Sequence, residues 1–577
     1  MSQLWSKTAR RLLSRIHKTG LEQELNRAEI TGKLAVPEIA PAARALAAEG
    51  IVLLKNEQKT LPITKETRVA VFGRSAVDYF TVGYGSGGDV IAPYRRNLME
   101  GLLEHGVKID GPMAALYETW CSLPKNVPDE GYWAHWPMSN PEMPLKSEDV
   151  AAAARRCDMA LVVIGRAAGE ARENVLKPGS YYLTEKEKAM LDQVATFFHR
   201  ICLVMDCGNV IDMSWVQDYA QKLTAIVYAW QGGMESGTAL ADVLTGAVNP
   251  SGKLTDTIAV KYEDYPSSQS FGGQAFNAYT EDIYVGYRYF ETFAPERVLY
   301  PFGFGLSYTR FRLTSQAAVN GNQITVTTEV ENVGDADGRE VVQIYVDLPC
   351  GTCLASTFDP EAVEALYALL GREMIAQGTQ VILGPGMNIH RNPLCGRNFE
   401  YYSEDPLVTG KIAAAMVRGV QSQGVSACPK HFACNNQETN RNECDSRLSQ
   451  RAQREIYLKG FEICLRESDP WCLMTSYNLV NGVWSHYHYE LATDILREEW
   501  GYQGLTITDW WMHPAASPEF PNIRDDAYRI RAQVDVLMPG EIQERTLPAS
   551  LEDPNGVTRA EAQRCALNVI RFILKLK

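Results

Sequence analysis

The chain has no stretch approaching the ~18 consecutive apolar residues of a membrane-spanning helix, and no membrane contact is expected of it. It also lacks an excess of cations: 56 Lys and Arg stand against 70 Asp and Glu, a formal net charge of −14. Nucleic acid and anionic membrane are therefore poor general partners, because counterion release needs clustered Lys and Arg. No short-period repeat is present, which excludes a solenoid. A disulfide framework is missing as well. The thirteen cysteines are an odd number scattered over 577 residues, several inside apolar runs such as Ile201–Met205. That usage fits buried free thiols in a reducing compartment, and a cytoplasmic protein is expected. The opening residues, MSQLWSKTARRLLSRIHKTG, are basic and amphipathic, with no unbroken apolar core and no small-residue cleavage site. They read as a surface helix rather than a signal peptide, and residues 1–40 as an N-terminal helical segment.

What is present is a globular composition, 45% hydrophobic and 22% charged, in a chain long enough for several cores. Residues 41–310 alternate strands and helices. Val69–Phe72, Met159–Ile164, Ile201–Met205 and Ala225–Trp230 are short apolar runs, with helical patterns at Thr184–His199 and Met234–Leu244. Continuous apolar strands alternating with helices predict an α/β domain whose largely parallel sheet is covered on both faces. From Phe311 the period changes to two: Ile324–Val330 alternates, a Gly/Asp turn follows, then Val341–Val346. That is a β-sandwich pattern, yet only about three strands precede Pro349 where a sandwich needs roughly seven. Residues 311–349 read as part of a domain. From 350 to 577 the strand–helix alternation returns, with strands at Val381–Leu383, Val425–Ala427, Cys472–Thr475, Leu505–Thr508 and Val534–Met538 and a long helix at Ser449–Glu467. His390, Lys430, His431, Tyr477, Asn478 and Asp509 sit just past strand ends, where a (β/α)8 barrel does its chemistry. Five strands appear where eight are wanted, so the expected TIM barrel lacks its first strands.

Three motifs carry less than their spacing suggests. Gly83-Tyr-Gly85-Ser-Gly-Gly88 matches G-x-G-x-x-G, but no strand directly precedes it and no helix start follows. It reads as a glycine-rich loop rather than a nucleotide site. Cys350-Gly-Thr-Cys353 opens the barrel segment rather than a small redox domain. Cys428, His431, Cys434 and Cys444 are spaced unlike the usual zinc sites, and no metal is assigned to them.

Two acids stand out. Asp509 follows an apolar strand and precedes Trp510 and Trp511. A carboxylate beside aromatic rings at a strand end suits a sugar site: the rings stack on the sugar's CH face while the carboxylate attacks or stabilises an oxocarbenium-like centre. The plainer alternative is a helix N-cap. Glu170 follows the strand Met159–Ile164 through the loop Gly165–Gly169; taken alone it is a solvated loop acid.

Taken together, GMNIHRNPLCGRNFE (386–400), PKHF (429–432), MTSYN (474–478) and TDWW (508–511) closely resemble the barrel domain of glycoside hydrolase family 3, the β-glucosidase family. GIVLLKN (50–56), NPSGKL (249–254) and PFGFGLSY (301–308) resemble that family's α/β sandwich domain. The segment from Phe311 looks like the start of its fibronectin-III-like domain. The resemblance spans nearly the whole chain, in an inverted order with the barrel last, as in a subset of the family. At Pro349–Cys350 it implies an excision. The rest of the fibronectin-like domain has no match here, nor do the first barrel strands, which normally carry an Asp for the sugar's 4- and 6-hydroxyls.

The resemblance also assigns roles. Asp509 becomes the nucleophile and Glu170 the acid/base, contributed by different domains, so the site forms where the α/β domain caps the barrel mouth. The implied chemistry is a retaining double displacement. Glu170 is expected to be raised in pKa by burial, with Asp509 kept ionised by cationic neighbours. Arg397, Lys430, His431 and Arg441 fall at glycone-binding positions. Tyr477 falls near the nucleophile, Trp510 against the sugar ring, and Ser86 reaches in from the second domain. The implied activity is an exo-β-glucosidase releasing terminal β-linked glucose from oligosaccharides or glycosides, with no metal or organic cofactor. A β-xylosidase of the same family is one alternative. A non-catalytic sugar-binding remnant, if the break is real, is the other. A homo-oligomer is compatible with these features.

Overall fold

The computed structural model describes residues 34–88, 92–127, 131, 133–320, 323–339, 352–512, 525–538, 546–554 and 556–576. Most of the expected N-terminal segment, the expected strand Val341–Val346 and the junction Pro349–Cys350 lie outside them.

The first core is built on six strands: β1 (Val52–Asn56), β2 (Arg68–Phe72), β3 (Lys108–Ile109), β4 (Met159–Arg166), β5 (Ile201–Cys207) and β6 (Leu223–Tyr228). Their order is β1–β6–β5–β4–β2–β3, all neighbours parallel except β1 against β6. Every residue of β4, β5 and β6 is buried, because helices cover both faces, which is why these strands read as unbroken apolar runs. Leu98, Leu102, Leu240 and Leu244 pack on one face, and Met190, Leu191 and Val194 on the other. The helix Glu185–Phe197 starts at a capping box between Thr184 and Glu187. Ser236–Thr245 stops at Gly246, whose left-handed backbone (φ 76°) closes its last turn.

After this domain, Phe311–Asn320 and Gln323–Asn332 form one antiparallel hairpin in unbroken register. Leu313, Val330 and Val333 remain exposed along it.

The last segment lays five parallel strands side by side in chain order: Val381–Ile382, Ser426–Ala427, Cys472–Met474, Leu505–Trp510 and Val536–Met538. Single parallel bridges, Gly386 with Lys430 and Phe432 with Thr475, carry the wall across its middle. The expected single helix Ser449–Glu467 is corrected. It is a short turn at Gln450–Ala452, a π-helical turn at Gln453–Tyr457 and a helix at Lys459–Ser468. The wide turn brings the consecutive residues Ile456, Tyr457 and Leu458 all into the core, more than one α-helical face holds.

The two α/β segments are joined by more than the covalent chain. Phe276–Ala278 of the first pairs in parallel with Asp445–Arg447 of the last, so one small sheet crosses the boundary expected at residue 310. Nearby, Arg391 and Glu281 form an ion pair with no side-chain exposure on either partner. His390 meets Asp256 at 2.7 Å. Glu404 accepts from the backbone N–H groups of Thr257 and Tyr287. This polar seam seats the loops of the first segment over the strand ends of the last.

Candidate active site

Asp509 occupies the fifth position of Leu505–Trp510 and is 7% exposed. The strand runs one residue past it, so Asp509 is a strand residue and not a helix cap. Its Oδ1 accepts the Trp510 N–H at 2.8 Å. Its Oδ2, 3.6 Å from His431 Nε2, accepts no hydrogen bond among the described residues. Tyr477 lies beside it, the phenol raised in pKa by burial and by the facing Asp509. Half-buried Trp510 follows directly. His431 is fully enclosed. Burial and the nearby Arg397, Lys430 and Arg441 hold its imidazole well below the usual range, so it stays neutral.

Glu170 reaches the same place from the other segment. Its Oε1 accepts from Arg397 Nη1 at 3.1 Å and from Arg441 Nη1 at 2.9 Å, and its Oε2 from the Ser86 N–H at 2.8 Å. Here the expected electrostatics are reversed. Burial pushes the Glu170 carboxyl up, but Arg397, Arg441 and Ser86 outweigh it and hold the group well below the carboxylate range. Asp509 is raised: burial outweighs the downward pull of Arg397, Arg441 and Lys430. The physical reason is contact. The arginines touch Glu170 directly, whereas no described arginine or lysine makes a hydrogen bond to Asp509.

Two carboxylates stand behind the three cations. Arg397, on the turn Gly396–Phe399, donates Nε to Glu400 and Nη2 to the Ser86 hydroxyl at 3.4 Å. Lys430 Nζ lies 3.7 Å from the other Glu400 oxygen. Arg441 donates to Glu438 at 2.6 Å, and its guanidinium lies 4.4 Å from the centre of the Tyr477 ring. All nine sequence-predicted residues thus fall in one region. Glu400, Glu438 and Glu173 belong to it too and were not predicted. Glu400 ends the GRNFE stretch and Glu438 stands three residues before Arg441, so a search for acids paired with each candidate cation finds both.

The glycine-rich loop now has a physical account. A Cβ on Gly85 (φ +94°) would fall 2.5 Å from the Glu170 Cβ, and one on Gly87 2.4 Å from Glu400 Oε2. The loop lies flat against the two acids, and only glycine permits that approach. Beside it the Tyr84 and Trp136 rings stack at 5.5 Å, with Trp133 edge-on to Trp136. Among the described residues no group of three His, Cys, Asp or Glu is placed to hold a metal. Cys428 faces Cys472, at 3.1 Å between sulfurs, rather than the other three residues of the zinc-like set. The described cysteines are free thiols, and no described helix is long and apolar enough to cross a membrane.

Family models place this arrangement. The glycosyl hydrolase family 3 C-terminal domain matches residues 51–308 and the family 3 N terminal domain residues 315–561. A β-glucosidase of Ruminococcus albus is 32% identical over 91% of this chain and 79% of that protein. The chain belongs to glycoside hydrolase family 3. As a family 3 member it is a glycoside hydrolase with the two domains in inverted order. β-Glucosidase A of Butyrivibrio fibrisolvens is 30% identical over 81% of this chain and 89% of that protein. The solved β-glucosidase of Paenibacillus barengoltzii superimposes with a TM-score of 0.85 at 32% identity, covering 94% of this chain and 86% of that one. The Ruminococcus alignment runs over 751 positions, more than the 577 residues of this family 3 chain. The relative therefore carries at least 174 aligned residues with no counterpart here, the difference between those two lengths.

Proposed function

We propose that this glycoside hydrolase is a retaining exo-β-glucosidase that removes terminal β-linked glucose, with Asp509 as nucleophile and Glu170 as acid/base. In this reading the five parallel strands belong to a (β/α)8-type barrel, the six-stranded domain is its cap, and the hairpin is part of a fibronectin-III-like domain. Unpaired thiols fit a reducing, cytoplasmic setting.

One observation carries the reading: two buried carboxylates from separate segments share the cations Arg397 and Arg441, and one oxygen, Asp509 Oδ2, is left without a donor. A buried carboxylate oxygen without a hydrogen bond is costly unless something else uses it. Here it is the atom that attacks the anomeric carbon. Sugar hydroxyls take the guanidinium donors that Glu170 holds in this structure. Freed from them and still buried, Glu170 rises in pKa, binds a proton and delivers it to the leaving oxygen. It then deprotonates the water that releases the sugar from Asp509. Neutral His431 and the Lys430 ammonium supply further donors to the sugar.

Replacement of Asp509 by Asn is expected to abolish hydrolysis of an aryl β-glucoside; undiminished turnover refutes the assignment. A second reading, a non-catalytic sugar binder, is favoured by the residues absent relative to the Ruminococcus protein. Intact-mass measurement of the expressed polypeptide separates the two, since a mass well above 64.3 kDa restores the missing strands.

A further inference from the structure

Glu173 lies three residues beyond Glu170 on a stretch that has no helix or extended strand of its own between β4 and the helix at Glu185. Its carboxylate is spent entirely on backbone. Oε2 accepts the Gly396 N–H at 2.8 Å, and Oε1 accepts the N–H groups of Glu438 at 2.5 Å and Thr439 at 3.0 Å. Gly396 immediately precedes Arg397, and Glu438 and Thr439 lead into Arg441. A single side chain on the acid/base loop therefore grips the two turns whose arginines meet Glu170.

The contact is close and built on both sides. A Cβ on Gly396 would sit 1.8 Å from the Arg172 carbonyl oxygen, so the loop rests directly on that turn. Ala171 N–H donates to Glu438 Oε2 at 2.8 Å, and Asn174 N–H to the Leu394 carbonyl at 2.9 Å. At its base the loop is held separately: Arg166, paired with Glu187, donates to the carbonyls of Ser180 and Tyr182. Only a carboxylate suits the tip. It offers two acceptor oxygens and no donor, whereas an amide would set an NH2 group against at least one of the three N–H groups. The clamp is held at a cost. Burial and the neighbouring Glu438 push the Glu173 carboxyl up to about 7, against the pull of the three amides.

We propose that Glu173 is a positioning residue that sets Glu170 over Asp509 by clamping the acid/base loop to the Arg397 and Arg441 turns. This rests on the reading of Glu170 as acid/base. A clamp on the acid acts on proton delivery, and proton delivery matters in proportion to how poor the leaving group is. A merely structural residue lowers all substrates together.

The test uses the full chain carrying Glu173→Gln, with Glu170→Gln in parallel, and measures kcat/KM across aryl and alkyl β-glucosides. Leaving groups run from dinitrophenol, which departs unprotonated, to a simple alcohol. For Glu173→Gln the expected loss is roughly 100-fold on the alkyl glucoside and no more than about threefold on the dinitrophenyl glucoside. Glu170→Gln is expected to show a steeper slope of the same sign. A steep Glu170→Gln slope with a uniform loss in Glu173→Gln overturns the positioning role and leaves the acid/base reading standing. A flat slope in Glu170→Gln overturns that reading, and the clamp proposal with it. If Glu173→Gln does not fold, Glu173→Asp serves: it keeps the charge, withdraws it by one methylene, and is expected to show a shallower slope of the same sign.

Discussion

Replacement of Arg441 by Met tests whether the guanidinium pair sets the protonation of both acids. Met keeps an unbranched side chain over the Tyr477 ring while removing the charge. Arg441 Nη1 lies 2.9 Å from Glu170 Oε1, a separation at which unit charges interact by about 6 kcal/mol at an effective dielectric of about 20. Rearrangement of Arg397 and entry of water reduce this, and an Arg beside a carboxylate lowers its pKa by about 1–3 in practice. Losing the cation disfavours the ionised form, so the Glu170 carboxyl rises. Asp509 rises too, since Arg441 also pulls it down. With substrate bound, Asp509 must be ionised and Glu170 protonated. The acid limb of the kcat profile, which reports the enzyme–substrate complex, belongs to the first and the alkaline limb to the second. Both limbs are therefore expected to move toward higher pH in Arg441→Met, the alkaline one by about 1–3 pH units. The assay is kcat for an aryl β-glucoside at saturating substrate and closely spaced pH values, wild type beside variant. An alkaline limb that stays in place while the acid limb moves refutes the coupling of Arg441 to Glu170.

Two other outcomes follow from local geometry. Gly85→Ala places a methyl 2.5 Å from the Glu170 Cβ on a backbone of φ +94°, and is expected to lower turnover by roughly 10–100-fold. A near-normal melting temperature and circular dichroism would show that the loss is local, and full activity would contradict the packing described. At the C-terminal helix Arg559–Lys575, burial raises the Glu561 carboxyl, but Arg531 and the capping Thr558 outweigh it and bring it to about 2. A depressed carboxyl lends stability above its unfolded value near 4.5, and that stability is lost as pH falls through about 2. The melting-temperature gap between wild type and Glu561→Gln is therefore expected to be constant above pH 5 and to shrink toward pH 3; a gap that widens on acidification contradicts the pairing.

Legibility in the sequence followed burial. β4 and β5 are enclosed on both faces and stand out as apolar runs, and the five later strands were equally plain. The edge strands β1 and β3 were not, because β1 ends in half-exposed Lys55 and Asn56 and β3 is two residues long. The break in the helix at Gln453–Tyr457 depends on what the segment packs against, not on its own residues. Asp509 and Glu170 took their roles from the family resemblance, which records positions but not contacts. That is why the reversal of their electrostatics was invisible: it hangs on distances between Glu170 and two arginines more than 220 positions away. Glu173 carried no motif at all. Its partners are backbone amides, which every sequence has.

The parallel pairing of Phe276–Ala278 with Asp445–Arg447 has a mechanical consequence. A hinge between the halves would have to tear a hydrogen-bonded ladder each time it opened, so admission of substrate falls to short loops rather than to whole-domain swing. The same ladder resists dissection. A fragment beginning near residue 352 would present Asp445–Arg447 as a naked edge, open to pairing with other chains. Supplying the fragment that carries residues 276–278 would quench that edge, so the severed halves are expected to recover solubility only when produced together.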